Sequence, residues 1–287
     1  METIPVYNDV EIKPPHKPVV LVHGLMTGDV TMLELAKQIE EMHPGTKTYV
    51  LNRFCGWASL EPLWKQVLEL GPDLLQICSQ HPEGINLIGY SQGGIIARGM
   101  LESYPNHNVH TFISLSSPQG GQYGIINFII AKCFSSIFPN LTLKTAYELF
   151  YSKMGQDISV GNYWYDPYHL DLYLKYSKYL PIINNELETS NSSNYKKGIT
   201  RLKRMILIGG PDDGVISPWQ SSQFAVLNEN QEIVTVKERS IYKNDSFGLK
   251  TLDEAGKLMF FTVIGISHHE WYKDKSVIDN FIIKWLD

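Results

Sequence analysis

The sequence contains very little cysteine. Only Cys55, Cys78 and Cys133 are found among its 287 residues. Three thiols can form at most one disulfide, so a disulfide framework is excluded as the source of stability. A chain of this length can bury a sizeable apolar core without such cross-links. The low cysteine count slightly favours a reducing compartment.

Long apolar runs are also lacking. The most apolar stretch, Tyr123 to Phe138, is interrupted by Asn127 and Lys132, and no run approaches the roughly 20 residues that a membrane-spanning helix needs. A transmembrane protein is therefore excluded. The first 18 residues contain no basic stretch followed by an apolar core, so no secretory signal peptide is visible.

Positive charge is not in excess. The net charge is −5 at pH 7 and the sequence pI is about 6.0, which provides no long-range attraction to nucleic acid or to an anionic membrane. No G-x-x-x-x-G-K-[ST] loop is present to bind a phosphate. The cysteines and histidines show no zinc-binding spacing. The sequence therefore predicts neither a cofactor nor a metal.

What is present is an alternation of short β-branched runs with amphipathic segments. The predicted strands lie at 18–22, 48–51, 85–89, 111–115, 205–208 and 259–264. The predicted helices lie at 31–42, 63–78, 93–103 and 275–285. Alternation at this spacing predicts one α/β domain, residues 1–287, with a mainly parallel sheet and helices on both faces.

The alternation is absent between about residues 118 and 198. This segment is rich in Tyr, Phe, Trp, Asn and Pro, and Phe128–Phe138 and Leu141–Tyr151 have the composition of short apolar helices. It is too long for an ordinary loop between two strands. We therefore expect an inserted cap at about 120–200, over the carboxyl edge of the sheet. The alternative is a subdomain packed elsewhere.

The pattern G-x-S-x-G occurs at Gly89-Tyr90-Ser91-Gln92-Gly93, between a predicted strand and a predicted helix. In that context the turn presents the serine hydroxyl at the helix N-terminus, above the edge of the sheet. The two glycines let the strand and the helix approach where a Cβ would collide. Ser91 is therefore the predicted nucleophile, and the alternative is a purely structural turn.

A serine nucleophile needs a histidine base that is oriented by a carboxylate, and on this fold the three follow in the order Ser, Asp or Glu, His. Asp212 and Asp213 follow the strand at 205–208, and His268 and His269 follow the strand at 259–264. We favour Asp213, which lies nearer the following segment, and His268. The other aspartate would cap the turn, and the other histidine would lie at the surface.

An oxyanion hole would complete the site. One donor is expected from the backbone N–H of Gln92, the residue after the nucleophile, and the other from the loop after an early strand. That loop contains His23-Gly24-Leu25, where glycine allows the chain to fold toward the serine. The N–H of Leu25 is the second predicted donor, and His23 is interpreted as a structural residue.

Long sequence strings accompany these motifs. They are VHGL (22–25), GYSQGG (89–94), FISLSSPQ (112–119), GQYG (121–124), NYWYD (162–166), DLYL (171–174), IGGPDDGVISPWQ (208–220), DSFGLKTL (245–252) and GISH (265–268). In these strings the chain resembles the palmitoyl-protein thioesterases, from about residue 17 to 286. The resemblance implies an α/β-hydrolase fold with an inserted cap, and hydrolysis of long-chain fatty acyl thioesters such as palmitoyl-CoA.

The family's catalytic residues fall on Ser91, Asp213 and His268, and its second oxyanion donor falls on Leu25. The resemblance is greater to a lysosomal branch of the family that acts poorly on palmitoylated proteins, which implies free or small thioester carriers, with S-palmitoylated peptides as a further possibility. Two other functions stay open at this point: an oxygen-ester lipase or esterase, and a non-catalytic lipid-binding protein. An acyl chain needs an apolar channel, for which the candidates are Phe128, Ile129, Phe134 and Phe138, although core packing would also explain them.

Three N-glycosylation patterns bear on the cellular compartment of the protein. Asn140, Asn191 and Asn244 each begin an Asn-x-Ser/Thr tripeptide, which is weak evidence for passage through the secretory pathway. Lysosomal members of the family typically carry a signal peptide and disulfides, and neither is seen here. We expect a lysosomal enzyme, with a cytoplasmic one as the alternative.

Overall fold

Six parallel strands form the sheet that the alternating pattern predicts. The computed structural model describes residues 16–124 and 142–287. The strands are β1 (Val19–Val22), β2 (Thr48–Leu51), β3 (Ile85–Tyr90), β4 (Val109–Leu115), β5 (Arg204–Gly209) and β6 (Leu258–Thr262). Their order across the sheet is β2-β1-β3-β4-β5-β6, and every neighbouring pair is parallel. The α/β class with a parallel sheet is therefore confirmed.

Helices cover both faces of this sheet, as predicted. The longest are α1 (Asp29–Met42), α2 (Leu63–Gln80) and α3 (Gln92–Ser103). Met32, Leu35 and Ile39 of α1 pack with the C-terminal segment on one face. The buried residues of α2 and α3 pack on the opposite face. The central strands are buried on both sides, which explains why their sequences are continuous apolar runs.

The predicted C-terminal helix is present but is not a regular α-helix. A short α-helical turn is followed by a π-helical turn at Ile278–Ile282 and a 3₁₀ turn at Ile283–Trp285. The buried residues Ile278, Ile282 and Leu286 are spaced by four, which exceeds the 3.6 residues of an α-helical turn. All three side chains pack in the core on the same face of the sheet as α1.

Between β4 and β5 the described chain contains helices and no strand of the main sheet. These helices are α4 (Ala146–Phe150), α5 (Lys153–Gln156), α6 (Ser159–Asn162), α7 (Leu170–Tyr176), α8 (Leu180–Ile183) and α9 (Ser192–Thr200). The predicted helix at Leu141–Tyr151 corresponds to α4. The one predicted at Phe128–Phe138 lies outside the described residues.

This inserted segment packs on α2 and α3. The indole of Trp64 donates to the carbonyl of Lys178 at 2.6 Å, and the hydroxyl of Tyr179 donates to the carbonyl of Ile95 at 2.9 Å. None of the helices in the described residues is long and apolar enough to cross a membrane.

The segment between β5 and β6 contains elements that the sequence pattern did not predict. They are a two-stranded hairpin (Val226–Leu227 with Ile233–Val234), and the helices α10 (Ser240–Lys243) and α11 (Leu249–Glu254). Each is too short to show a helical or strand periodicity.

The strand order reverses between β1 and β3, because β2 lies on the far side of β1. In open parallel sheets, ligands bind at the carboxyl ends of the strands beside such a reversal. The Gly24 loop follows β1 and Ser91 follows β3, so both predicted elements of the site lie at this position.

Candidate active site

Ser91 occupies a tight turn between β3 and α3. Its backbone angles are φ 53° and ψ −129°, a strained conformation for a residue with a side chain. A Cβ on Gly89 would lie 2.4 Å from the Cα of Gly94, and a Cβ on Gly93 would lie 2.3 Å from the carbonyl oxygen of Val22. Both glycines of the motif are therefore required by close backbone contact.

Ser91, His268 and Asp213 form one chain of hydrogen bonds. The Ser91 hydroxyl oxygen lies 2.9 Å from Nε2 of His268, and Nδ1 of His268 lies 2.8 Å from Oδ2 of Asp213. An ionised carboxylate can only accept, so Nδ1 carries the proton and Nε2 accepts from the serine. All three residues are buried. The structure thus brings together the three residues that the sequence predicts.

The carboxylate of Asp213 accepts hydrogen bonds from five donors. Three of them reach Oδ2: the hydroxyl of Ser116 at 2.5 Å, the indole of Trp271 at 2.7 Å and the imidazole of His268 at 2.8 Å. The backbone N–H groups of Val215 and Ile216 reach Oδ1. Burial raises the pKa of Asp213, but the hydrogen bonds from His268, Ser116 and Ile216, together with the His268 charge, lower it below its ordinary value. The carboxylate is held in its ionised form.

Asp212 and His269 lie outside this chain of hydrogen bonds. Asp212 is exposed, and its carboxylate accepts from the N–H of Gly265 at 2.7 Å. That bond ties the aspartate turn to the loop that carries His268. His269 is exposed, with its ring 5.8 Å from that of His268. Within each pair, the residue favoured by the sequence is the one that joins Ser91.

Backbone hydrogen bonds of His268 position its imidazole. The backbone N–H of His268 donates to the carbonyl of Asp213 at 2.8 Å. The carbonyl of His268 accepts from the hydroxyl of Tyr90 at 2.7 Å, and the Tyr90 ring lies 5.2 Å from the imidazole. Tyr90 is the x in the G-x-S motif, so the serine turn and the histidine loop are connected directly.

The loop after β1 lies against Ser91. A Cβ on Gly24 would lie 2.8 Å from the Cβ of Ser91, so only glycine permits this approach. The backbone N–H groups of Leu25 and Gln92 have no hydrogen-bond acceptor among the described residues, and both remain available for an oxyanion. The ring nitrogens of His23 face the carbonyls of Gly24 and Arg53, at 2.9 and 2.8 Å, which fits a structural role.

Ser59 joins this loop to the serine turn, a connection that the sequence did not reveal. Its hydroxyl accepts from the N–H of Met26 at 2.7 Å, and its carbonyl accepts from the side-chain amide of Gln92, also at 2.7 Å. The Gln92 side chain also accepts from the hydroxyl of Tyr163 in the inserted segment at 3.2 Å. Ser59 therefore links the residue after Leu25 to the side chain of Gln92.

Some predicted site residues cannot be placed. The four candidates for the acyl channel (Phe128, Ile129, Phe134 and Phe138) and the glycosylation candidate Asn140 lie outside the described residues. Asn191 and Asn244 are described, and both are exposed.

A parallel sheet with a strained serine turn and a buried serine–histidine–aspartate arrangement defines the class: the fold is that of an α/β-hydrolase. A monoacylglycerol lipase from Paleococcus ferrophilus shares it, with a TM-score of 0.50 over 94% of this chain and 93% of the lipase chain, at 15% identity. A likeness at that identity concerns the fold alone.

Comparison of sequences gives the particular family. The sequence model of the palmitoyl protein thioesterase family matches residues 18–269, so the chain belongs to this family. The lysosomal thioesterase PPT2 homolog of Drosophila melanogaster is 48% identical over 98% of this chain and 95% of its own length. Human lysosomal thioesterase PPT2 is 42% identical over 94% and 88%. Palmitoyl-protein thioesterase 3 of Dictyostelium discoideum is 33% identical over 94% and 92%.

Proposed function

We propose that this protein is a serine thioesterase that hydrolyses long-chain fatty acyl thioesters, such as palmitoyl-CoA, through an acyl-serine intermediate. Membership of the family supports the reaction class. The single observation that carries the mechanism is the continuous hydrogen bonding from Ser91 through His268 to Asp213.

In the first step Ser91 attacks the thioester carbonyl while Nε2 of His268 removes the hydroxyl proton. The N–H groups of Leu25 and Gln92 donate to the oxyanion that develops on the carbonyl oxygen. Asp213 stabilises the imidazolium and keeps the imidazole in the required tautomer. The C–S bond then breaks, and the thiolate takes the proton from His268.

In the second step water hydrolyses the acyl-serine. His268 removes a proton from the water as it attacks the ester carbonyl, and the same two N–H groups donate to the second oxyanion. The bond to the Ser91 oxygen breaks, and that oxygen recovers its proton from His268. The free fatty acid leaves, and the site returns to its initial state.

We further propose one domain, residues 1–287, in which the insertion at about 120–200 acts as a cap. Two contacts support this placement. Tyr163 of the insertion donates to the side chain of Gln92, and the N–H of Tyr123 donates to the carbonyl of Ser217, four residues after Asp213. The insertion therefore adjoins both the serine turn and the aspartate loop.

A lysosomal location is proposed because several relatives carry that location in their names. The exposed Asn191 and Asn244 are accessible acceptors for N-glycans. Expression in animal cells should give a protein whose mobility increases on glycosidase treatment, and an Asn191→Gln, Asn244→Gln variant should lose most of that change. An unmodified protein in the cytosol would contradict both proposals.

The function is tested by thiol release from palmitoyl-CoA, with the corresponding palmitoyl oxygen ester as the control substrate. We expect the wild type to cleave the thioester faster, and Ser91→Ala to lose at least about 10⁴-fold in kcat. Faster cleavage of the oxygen ester would indicate a lipase-like esterase. Equal activity in the variant would refute Ser91 as the nucleophile, and inactivity of the wild type on both substrates would favour the lipid-binding alternative.

A further inference from the structure

Two histidines and an aspartate meet at a place that the proposed reaction does not use. Nδ1 of His16 lies 2.6 Å from Oδ1 of Asp287, and Nε2 of His43 lies 3.3 Å from Oδ2 of the same carboxylate. The three possible ligand atoms all lie within 4.8 Å of one another. No other group of three such residues with this proximity occurs within residues 16–124 and 142–287.

The three residues come from separate parts of the chain. His16 precedes β1, His43 directly follows α1, and Asp287 follows the last helical turn. The first two therefore lie at the edge of the sheet where β1 and β2 begin, whereas Ser91 lies at the edge where β3 ends. The cluster is distinct from the candidate active site.

Neighbouring groups orient these residues. Nδ1 of His43 lies 2.5 Å from the hydroxyl of Thr46, which leaves Nε2 directed at Asp287. The backbone beside Asp287 is anchored, because Asn86 donates to the carbonyl of Leu286 and Arg204 donates to that of Asp287. In metal sites the second nitrogen of a histidine ligand is usually hydrogen-bonded in this way, which fixes the direction of the first.

We propose that His16, His43 and Asp287 bind one divalent transition-metal ion, with zinc as the representative ion. Two imidazoles and a carboxylate are ordinary zinc ligands, at about 2.0–2.2 Å from the metal, and water completes a tetrahedron. Ligand atoms in such a tetrahedron are about 3.3 Å apart. Nε2 of His43 already has this spacing from Oδ2 of Asp287, whereas Nδ1 of His16 lies 2.6 Å from the other carboxylate oxygen, Oδ1. A small movement of the Asp287 carboxylate and the His16 ring would therefore be needed for one carboxylate oxygen and both nitrogens to bind the same ion. The ion would cross-link the start of β1, the end of α1 and the C-terminal segment.

The test is titration of chelator-treated full-length protein with ZnCl₂ at pH 7.5, by calorimetry and by thermal unfolding. We expect one zinc ion per chain and a rise in Tm. Cobalt(II) should give the visible absorption of a tetrahedral site.

His43→Ala and Asp287→Asn should each weaken zinc binding by at least about tenfold. Asp287→Asn keeps the shape of the side chain, so it tests the site even if His43→Ala impairs folding. The matched control is His169→Ala, which alters a histidine–aspartate pair that lacks a second histidine, and it should leave the affinity unchanged. The absence of saturable binding, or equal affinity in wild type, His43→Ala and Asp287→Asn, would overturn the proposal.

Discussion

Two buried carboxylates, Asp213 and Glu102, occupy opposite electrostatic environments. Asp213 accepts five hydrogen bonds. Both oxygens of Glu102, in α3, are buried without a hydrogen-bond partner within residues 16–124 and 142–287, and the guanidinium of Arg98 lies 3.9 Å away. Both residues are almost inaccessible to solvent. Burial alone therefore does not determine the charge of a carboxylate in this protein.

The hydrogen-bond donors account for the difference. Burial raises the pKa of Glu102 to about 8, and the nearby charge of Arg98 lowers it by less than burial raises it. At Asp213 the donors more than offset burial, and the pKa falls. The carboxylate that stays charged in the proposed mechanism has fixed donors, whereas Glu102, which has no donor in the described part of the chain, is more stable when protonated at neutral pH.

Replacing Asp213 and Glu102 each by the corresponding amide should show the largest difference between them. Asp213→Asn should lower kcat by roughly 10⁴-fold, because the amide favours the wrong histidine tautomer. Glu102→Gln should change kcat by less than about threefold, since the ion-pair partner of Glu102 is Arg98 and no described hydrogen bond joins it to Ser91, His268 or Asp213. The measurement is steady-state hydrolysis of palmitoyl-CoA by both variants. Similar losses in the two would show that Asp213 has only a structural role.

Removing single donors to Asp213 should have an intermediate effect. Ser116→Ala and Trp271→Phe each delete a hydrogen bond to a charged group, worth about 1.5–3 kcal/mol, so kcat/KM should fall by roughly tenfold to a hundredfold. The pKa of Asp213 should rise, and the acid limb of the pH–rate profile should move to higher pH. Trp285→Phe is the matched control, because the Trp285 indole N–H has no partner among the described residues. Unshifted acid limbs in both variants would contradict this account of the donors.

Glu102 should make stability depend on pH. Its folded pKa is raised from 4.5 to about 8, so its stabilising contribution is complete below pH 4.5 and is lost as the pH rises toward 8. Besides Arg98, the titratable side chains that face it are Tyr179 and Tyr195. Between pH 5 and pH 8 the unfolding constant should increase by a factor at least about tenfold larger in wild type than in Glu102→Gln. Urea unfolding at the two pH values measures this increase. An equal change in the two proteins would refute the raised pKa.

The smallest effect is expected at Ser59. Ser59→Ala removes the acceptor of the Met26 N–H and loosens the oxyanion loop, at a cost of about 0.5–1.5 kcal/mol. We expect kcat to fall by about threefold to tenfold with KM nearly unchanged. Ser79→Ala is the matched control, since its hydroxyl donates within α2, to the carbonyl of Gln76. Equal kcat in the two variants would argue against this role of Ser59.

The sheet and the serine turn could be predicted because their signals are local. A strand buried on both faces must be a continuous apolar run, as in β1 and β3. The turn at Ser91 needs glycine at both ends, so it leaves a short motif. Asp213 and His268 were predictable because the carboxyl ends of parallel strands meet at one edge.

Other features depend on contacts between distant parts of the chain. Ser116 could have been suspected, since it directly follows β4, the strand beside β3, but nothing local distinguishes Trp271 as a donor. The isolation of Glu102 is equally invisible, because a glutamate in an amphipathic helix ordinarily faces water. His16, His43 and Asp287 are far apart in the sequence and do not follow the spacing of a zinc motif, so the sequence pattern does not indicate the proposed metal site.

Ser91 should carry the acyl group during turnover. Protein mixed with palmitoyl-CoA and quenched within one turnover should gain the mass of one palmitoyl group, located by peptide mass spectrometry on Ser91. The adduct should be absent in Ser91→Ala. Two results would contradict the acyl-serine mechanism. One is a palmitoyl group on Cys55, whose sulfur lies 3.8 Å from Nε2 of His23. The other is rapid turnover without any adduct in both Asp213→Asn and wild type.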